Sequence, residues 1–152
     1  MYHTTISIDV PDLAGAVRFY TEALGLKIKK EPTKSMAILQ TMNLDVYLLQ
    51  KADGTQAYSK SGAQRTYSRH WTPVHLDFVV DDVAAAVARA LAAGAIQEAP
   101  VENAAWGRLA LMADPFGHGF CLVEFRNRGY DEIADPPATS HAGSNQRSAS
   151  PS

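Results

Sequence analysis

Two stretches of the chain alternate apolar and polar residues with a period of two. The first runs through Ile6, Ile8 and Val10, the second through Leu76, Phe78 and Val80. That period predicts strands with one buried face. Each run ends at an aspartate suited to cap a helix, Asp12 or Asp82. A helical spacing follows each cap: Leu13, Ala16, Val17, Tyr20 and Leu24 after the first, Val83, Ala86, Val87, Ala90 and Leu91 after the second. Gly25 and Gly94 are the natural stops.

The period returns to two after each glycine. Strands are expected near 26–31, 35–40 and 44–50, with turns at Pro32 and at Met42-Asn43. The matching expectations downstream are 95–101, 108–113 and 119–125. The turn before the last of these is Asp114-Pro115-Phe116-Gly117-His118. The chain thus reads as an internal repeat, strand–helix–three strands, made twice. The first module spans about 1–52, a connector about 53–72 and the second module about 73–127, as a single domain. Residues 128–152 form an extension. From about 135 they carry no large apolar side chain and many Ser and Pro residues, so disorder is expected there, and His141 is set aside with it.

Composition narrows the partners. A net charge of −2 gives no basic face, so nucleic acid is not expected. No apolar run approaches a membrane span and no basic-then-apolar leader opens the chain, so the expected compartment is the cytoplasm. The one cysteine, Cys121, excludes an internal disulfide.

Three segments in order resemble the vicinal-oxygen-chelate superfamily, which includes glyoxalases, bleomycin-resistance proteins and extradiol dioxygenases. They are the opening Ile8-Asp-Val-Pro-Asp12 with its Phe19-Tyr20 helix and Leu24-Gly25 stop, the segment His75-Leu-Asp-Phe-Val-Val-Asp-Asp82, and the closing Asp114-Pro-Phe-Gly117 turn with its strand to Phe125. The resemblance covers roughly residues 3–126. It implies an α+β fold in which two βαβββ modules form a cupped, eight-stranded mixed sheet with helices outside. It also implies a homodimer and a small-molecule ligand inside the cup.

Metal-dependent relatives place one ligand at the opening of each module and a carboxylate on each closing strand. Aligned by the capping aspartates and by Asp114, those positions here are Thr5, Tyr47, His75 and Cys121, so only His75 matches. No cofactor is therefore expected, and a divalent metal is not favoured. Asp77 shares a strand face with His75, about 7 Å farther along. Glu124 has the opposite parity to Cys121 and should face the helix side or solvent.

The expected reading is a metal-independent binder of an apolar or aromatic ligand, akin to the drug-sequestering branch. Thr5, Tyr47, His75, Asp77 and Cys121 would contact the ligand, with Trp106 and Arg108 as further candidates beside the Gly107 turn. The alternative is a glyoxalase-, lyase- or isomerase-type enzyme using His75 as catalytic base or metal ligand. Each candidate also has a plain reading. His75 and Asp77 can be hydrogen-bonded strand residues, Cys121 a small core residue, Tyr47 and Trp106 packing residues, and His118 a solvated turn residue. The basic and aromatic stretch 65–71 is read as covering the cup mouth or a dimer seam.

Overall fold

The computed structural model describes residues 3–60 and 62–135. His141 and the serine-rich segment from 136 onward lie outside the described residues. The first module is β1 (Thr5–Val10), α1 (Leu13–Glu22), β2 (Lys27–Thr33), β3 (Met36–Gln40) and β4 (Asp45–Gln50). The second is β5 (Leu76–Val79), α2 (Val83–Ala92), β6 (Ile96–Gln97), β7 (Glu102–Ala104), β8 (Gly107–Ala113) and β9 (Gly119–Phe125). One turn of 3-10 helix, Gly129–Glu132, follows.

Both helices begin as their aspartates predict. Asp12 accepts the Gly15 N–H at 3.1 Å, and Asp82 accepts the N–H groups of Ala84 and Ala85 at 2.9 and 3.1 Å. These bonds satisfy donors that the first helical turn leaves open. Gly94, at φ +102°, ends α2: its N–H reaches the Leu91 carbonyl while the Ala95 N–H reaches Ala90. Only glycine adopts that left-handed turn freely.

Each module folds its strands into its own sheet. The first has the order β1-β4-β3-β2 and the second β5-β9-β8-β6, with β7 also paired to β8. In both, the opening strand runs parallel to the closing one and the helix supplies the crossover. The α+β, two-module architecture stands, with three differences. The modules form two hydrogen-bonded sheets of four and five strands. Of the strand expected over 95–101 only β6 forms, and a second short strand, β7, follows beyond that range. Pro100 lies in the gap, where its missing N–H contributes nothing to the ladder. Pro32 is not a turn: it sits within β2, and the chain reverses at Lys34-Ser35. Because β2 is the outer edge of its sheet, a residue without a ladder donor is tolerated there. Lys27, Lys29 and Lys30 lie on the same exposed strand.

One face of each sheet carries the core. Ala37, Leu39, Val46 and Leu48 are fully buried beneath α1, and Ala110, Met112 and Leu122 beneath α2. The aromatic rings of Phe19, on α1, and of Phe116 and Phe120 bring the two halves into one cluster. Their centroids lie 6.5 and 6.2 Å from that of Phe19. Tyr20 adds a polar link by donating its hydroxyl to Asp114 at 2.8 Å. That carboxylate, 2% exposed, also accepts the N–H groups of Phe116 and His118. Burial first, and then the neighbouring Asp114 charge, hold the Tyr20 phenol well above its ordinary value. The other face of each sheet is free of helices, and the candidate site lies there.

Candidate functional site

His75 precedes β5 by one residue and Asp77 is its second residue, so both project from the helix-free face. Cys121 on β9 is the register partner of Asp77. The strand pairing therefore brings together three residues that sequence places 44 positions apart at the last step (121 − 77). Nε2 of His75 lies 3.2 Å from Oδ1 of Asp77, and one donor atom from each of the three residues lies within 4.8 Å of the others. Strand spacing alone set Asp77 too far along to join His75. Side chains that lean toward each other close the gap. The Cys121 thiol is buried, with its residue 4% exposed, whereas the His75 and Asp77 side chains are half exposed. Burial, then the hydrogen bond to Asp77 and the negative charge beside it, push this thiol up to about 12. With no ion bound it is a neutral S–H, not a nucleophile.

Two cavities meet here. One of about 170 Å³ is lined by Trp71, His75, Leu111, Met112, Phe120 and Cys121, with Arg69 and Glu98 as a polar wall. A larger one of about 360 Å³ lies in the seam between modules. Ile6 and Ile8 of β1 and Leu76 and Phe78 of β5 line it. The two cavities share Thr72, His75, Gly119 and Phe120, so His75 stands at their boundary.

The connector builds one wall. Arg65 pairs with Asp9 at 2.6 Å, and Tyr67 donates its hydroxyl to the Lys51 carbonyl at 2.7 Å. Arg69 grips Glu98 with two N–H groups, at 2.5 and 2.8 Å. That bidentate bond holds the Glu98 carboxyl below, and the Arg69 guanidinium above, their ordinary values. Two glycines of the closing turn admit this strap. A Cβ at Gly117 would sit 2.3 Å from the Tyr67 carbonyl oxygen, and one at Gly119 would sit 2.6 Å from the Arg69 guanidinium.

The remaining candidates are placed elsewhere. Thr5 is exposed at the start of β1, and Tyr47 on β4 is half-buried, register-paired with Ser7 and Ile38. Neither lines either cavity beside His75. Trp106 packs against Phe125 and Tyr130, with centroids 6.2 and 4.9 Å away. Arg108 turns to the helix side, 3.4 Å from Glu124. Glu124 lies on that side as its parity predicts, accepting the Val83 N–H at the start of α2 and pairing with Arg126. Those two donors, in that order, hold its carboxyl below the ordinary value. His118 is not a solvated turn residue. Its Nε2 lies 2.8 Å from the Asp9 carbonyl oxygen, and its ring packs edge-on to Tyr67. Glu98 was not singled out from the sequence, and no local pattern marks it.

A model of the glyoxalase-like domain matches residues 5–123. The chain belongs to that family. An uncharacterised protein of Mycobacterium bovis is 30% identical over 128 residues, covering 82% of this chain and 84% of the relative. The fold resembles a glyoxalase-related enzyme from Fulvimarina pelagi, with a TM-score of 0.65, 20% identity, and 82% and 88% of the two chains covered. It also resembles TnmS3, an antibiotic-binding protein from a Streptomyces species, with a TM-score of 0.58, 22% identity, and 83% and 97% covered. Among the described residues, no helix is long and apolar enough to cross a membrane.

The four-ligand metal site of the glyoxalase-like proteins does not fit this member. Thr5 and Tyr47 offer only neutral hydroxyls in the first module, where a divalent ion wants imidazole or carboxylate. No step of chemistry is drawn through such an ion.

Proposed function

We propose that this glyoxalase-like protein binds an apolar or aromatic small molecule and that the recognition needs no metal ion. The adjoining cavities carry this reading. The larger has an apolar wall of Ile6, Ile8, Val74, Leu76, Phe78 and Phe120, with histidines among its polar groups, and lies within the size range of small-molecule sites. His75 sits where a ligand's polar end would meet it, with Asp77 and Cys121 behind. Pocket complementarity then supplies most of the affinity, and a few polar contacts fix orientation. The antibiotic-binding neighbour of like fold supports the same class of role.

The protein is also proposed to act as a homodimer. Val79, Leu111 and Phe125, which are 65%, 43% and 43% exposed, project from the same helix-free face as the triad. A second copy would cover them. Sedimentation should find a dimer, and a monomer at all concentrations would remove that part.

The binding test is a screen of planar aromatic ligands against EDTA-treated protein by calorimetry. Saturable binding is expected, with loss in Ile8→Trp, which fills the seam cavity. Binding that appears only with an added divalent ion, or that survives Ile8→Trp unchanged, would overturn the proposal.

The 3.2 Å approach of Asp77 to His75 favours a second reading, a glyoxalase-, lyase- or isomerase-type enzyme. In it His75 takes a proton and Asp77 orients the ring. Turnover of α-hydroxyacyl thiol adducts that His75→Ala abolishes would support it; no turnover, or turnover unchanged by that substitution, would exclude it.

A further inference from the structure

We propose that the seam cavity selects neutral aromatic ligands that donate hydrogen bonds, phenols or aromatic N–H compounds, over isosteric ethers and over carboxylates. The proposal rests on the ligand-binding reading and names the ligand class of that site.

The polarity of the cavity wall follows from where its hydrogens go. Thr72 donates its hydroxyl to the Val74 carbonyl at 2.7 Å, and Tyr20 donates its own to Asp114 at 2.8 Å. His70, His75 and His118 line the same cavity, and each sets one ring nitrogen against an atom that accepts. Nδ1 of His70 lies 2.9 Å from the Ser68 carbonyl oxygen, and Nε2 of His118 lies 2.8 Å from that of Asp9. A carbonyl has no hydrogen to give, so both nitrogens carry one. Nε2 of His75 faces the Asp77 carboxylate in the same way, at 3.2 Å.

The tautomers are thereby fixed. A neutral imidazole has a single N–H, and in each of these rings it is spent on the protein. What remains is a bare lone pair at Nε2 of His70, Nδ1 of His118 and Nδ1 of His75. The Thr72 oxygen likewise keeps its lone pairs after its hydrogen is used. Among the described residues, Ser7 is the lining hydroxyl whose hydrogen has no such commitment, and it is exposed. The wall is rich in acceptors and poor in donors.

Charge points the same way. The guanidinium groups of Arg65 and Arg69, on the connector, are held by Asp9 and Glu98. Asp9 lines the cavity, while Asp77 and Asp114 bond its lining residues. A carboxylate ligand would enter against this negative charge, with neither guanidinium free to meet it. A phenol brings the hydrogen that the wall lacks, and its ring packs on Ile6, Ile8 and Phe78. A methyl ether of the same shape brings one more acceptor and leaves a lone pair of the wall unmatched.

The test is calorimetry on the full-length, EDTA-treated chain at pH 8, above the range in which an imidazole ordinarily takes a second proton. The probes are naphthol, its methyl ether and the naphthoate anion, which share one bicyclic frame. Naphthol is expected to bind about 5–10-fold tighter than the ether, the worth of one net hydrogen bond. Naphthoate should bind more than about 100-fold weaker than naphthol. Thr72→Val and His70→Phe each remove an acceptor at an exposed position of the connector, and each should narrow the ratio of naphthol to ether affinity. Ile8→Trp should abolish naphthol binding. The proposal is overturned by an ether or a naphthoate that binds as tightly as naphthol, or by a ratio that neither variant narrows; both outcomes leave the ligand-binding reading intact. Naphthol binding that survives Ile8→Trp unchanged overturns both. Naphthol that does not bind overturns this proposal, and the wider screen of aromatic ligands then decides the reading beneath it.

Discussion

The same small substitution, glycine to alanine, should have very different costs at two positions of one turn. Gly117 has φ +89°, where a side chain costs about 1–2 kcal/mol in backbone strain. Its added Cβ would also lie 2.3 Å from the Tyr67 carbonyl oxygen. That oxygen is backbone, held in place by the strap's anchors at Asp9 and Glu98, so relieving the clash means moving the connector. A total of about 3 kcal/mol or more is expected, in the range of overpacking plus strain. Gly119 has no positive φ, and its Cβ would meet only the terminal atoms of Arg69. Those atoms can swing aside at the expense of a partly exposed ion pair, about 0.2–1 kcal/mol. Urea unfolding of both variants, monitored by circular dichroism and fitted with a common slope, measures the difference. The reasoning fails if Gly117→Ala costs under about 1 kcal/mol or if Gly119→Ala costs as much as its neighbour. Gly119→Ala should in addition alter ligand affinity, because the displaced guanidinium walls the cavity.

Tyr20→Phe removes one of three donors to the buried Asp114 carboxylate and should cost about 1.5–3 kcal/mol by urea unfolding. A loss near zero would mean that water replaces the phenol. Cys121 should resist iodoacetamide at pH 8 in the native, ion-free protein and react on unfolding, because its thiol is pushed up to about 12. Asp77→Asn should lower the pH at which it reacts, and an unchanged rate profile would refute the link. Glu98 titrates below its ordinary 4.5 when folded, so its pairing with Arg69 stabilises the fold above that pH. The contribution fades as pH falls through the depressed folded-state value. Acid-unfolding curves of Arg69→Ala and the unmodified chain should therefore converge at low pH, and a constant gap would count against the pairing.

Features set by local chemistry were legible in the sequence. Asp12 and Asp82 announce their helices because capping needs only the next three residues. The parity of Glu124 places it on the face opposite Cys121, since side chains alternate along a strand that carries no bulge, and β9 keeps an unbroken register with β8. Features set by distant pairing were not legible. Glu98 meets Arg69 across 29 residues, and no periodicity encodes that meeting. A turn residue such as His118 is exposed by default, so its sequence position points to solvent; the contact with Asp9 arises from the packing of one module on the other. For the triad, the shared face of His75 and Asp77 could be read from spacing. The lean of their side chains toward Cys121 could not, because rotamers are chosen by packing.

The exposed margin formed by β2 has a bearing on how this protein behaves when concentrated. An open sheet edge is a template on which another molecule can add a strand, and so begin a fibril. Here an approaching backbone finds the ammonium groups of Lys27 and Lys30, with that of Lys29 paired to Asp45 at 2.6 Å, and, at Pro32, no hydrogen to share. Two like-charged margins repel each other, and the proline leaves a gap in any ladder they attempt. The border that cannot be covered by its own chain thus protects itself against polymerisation.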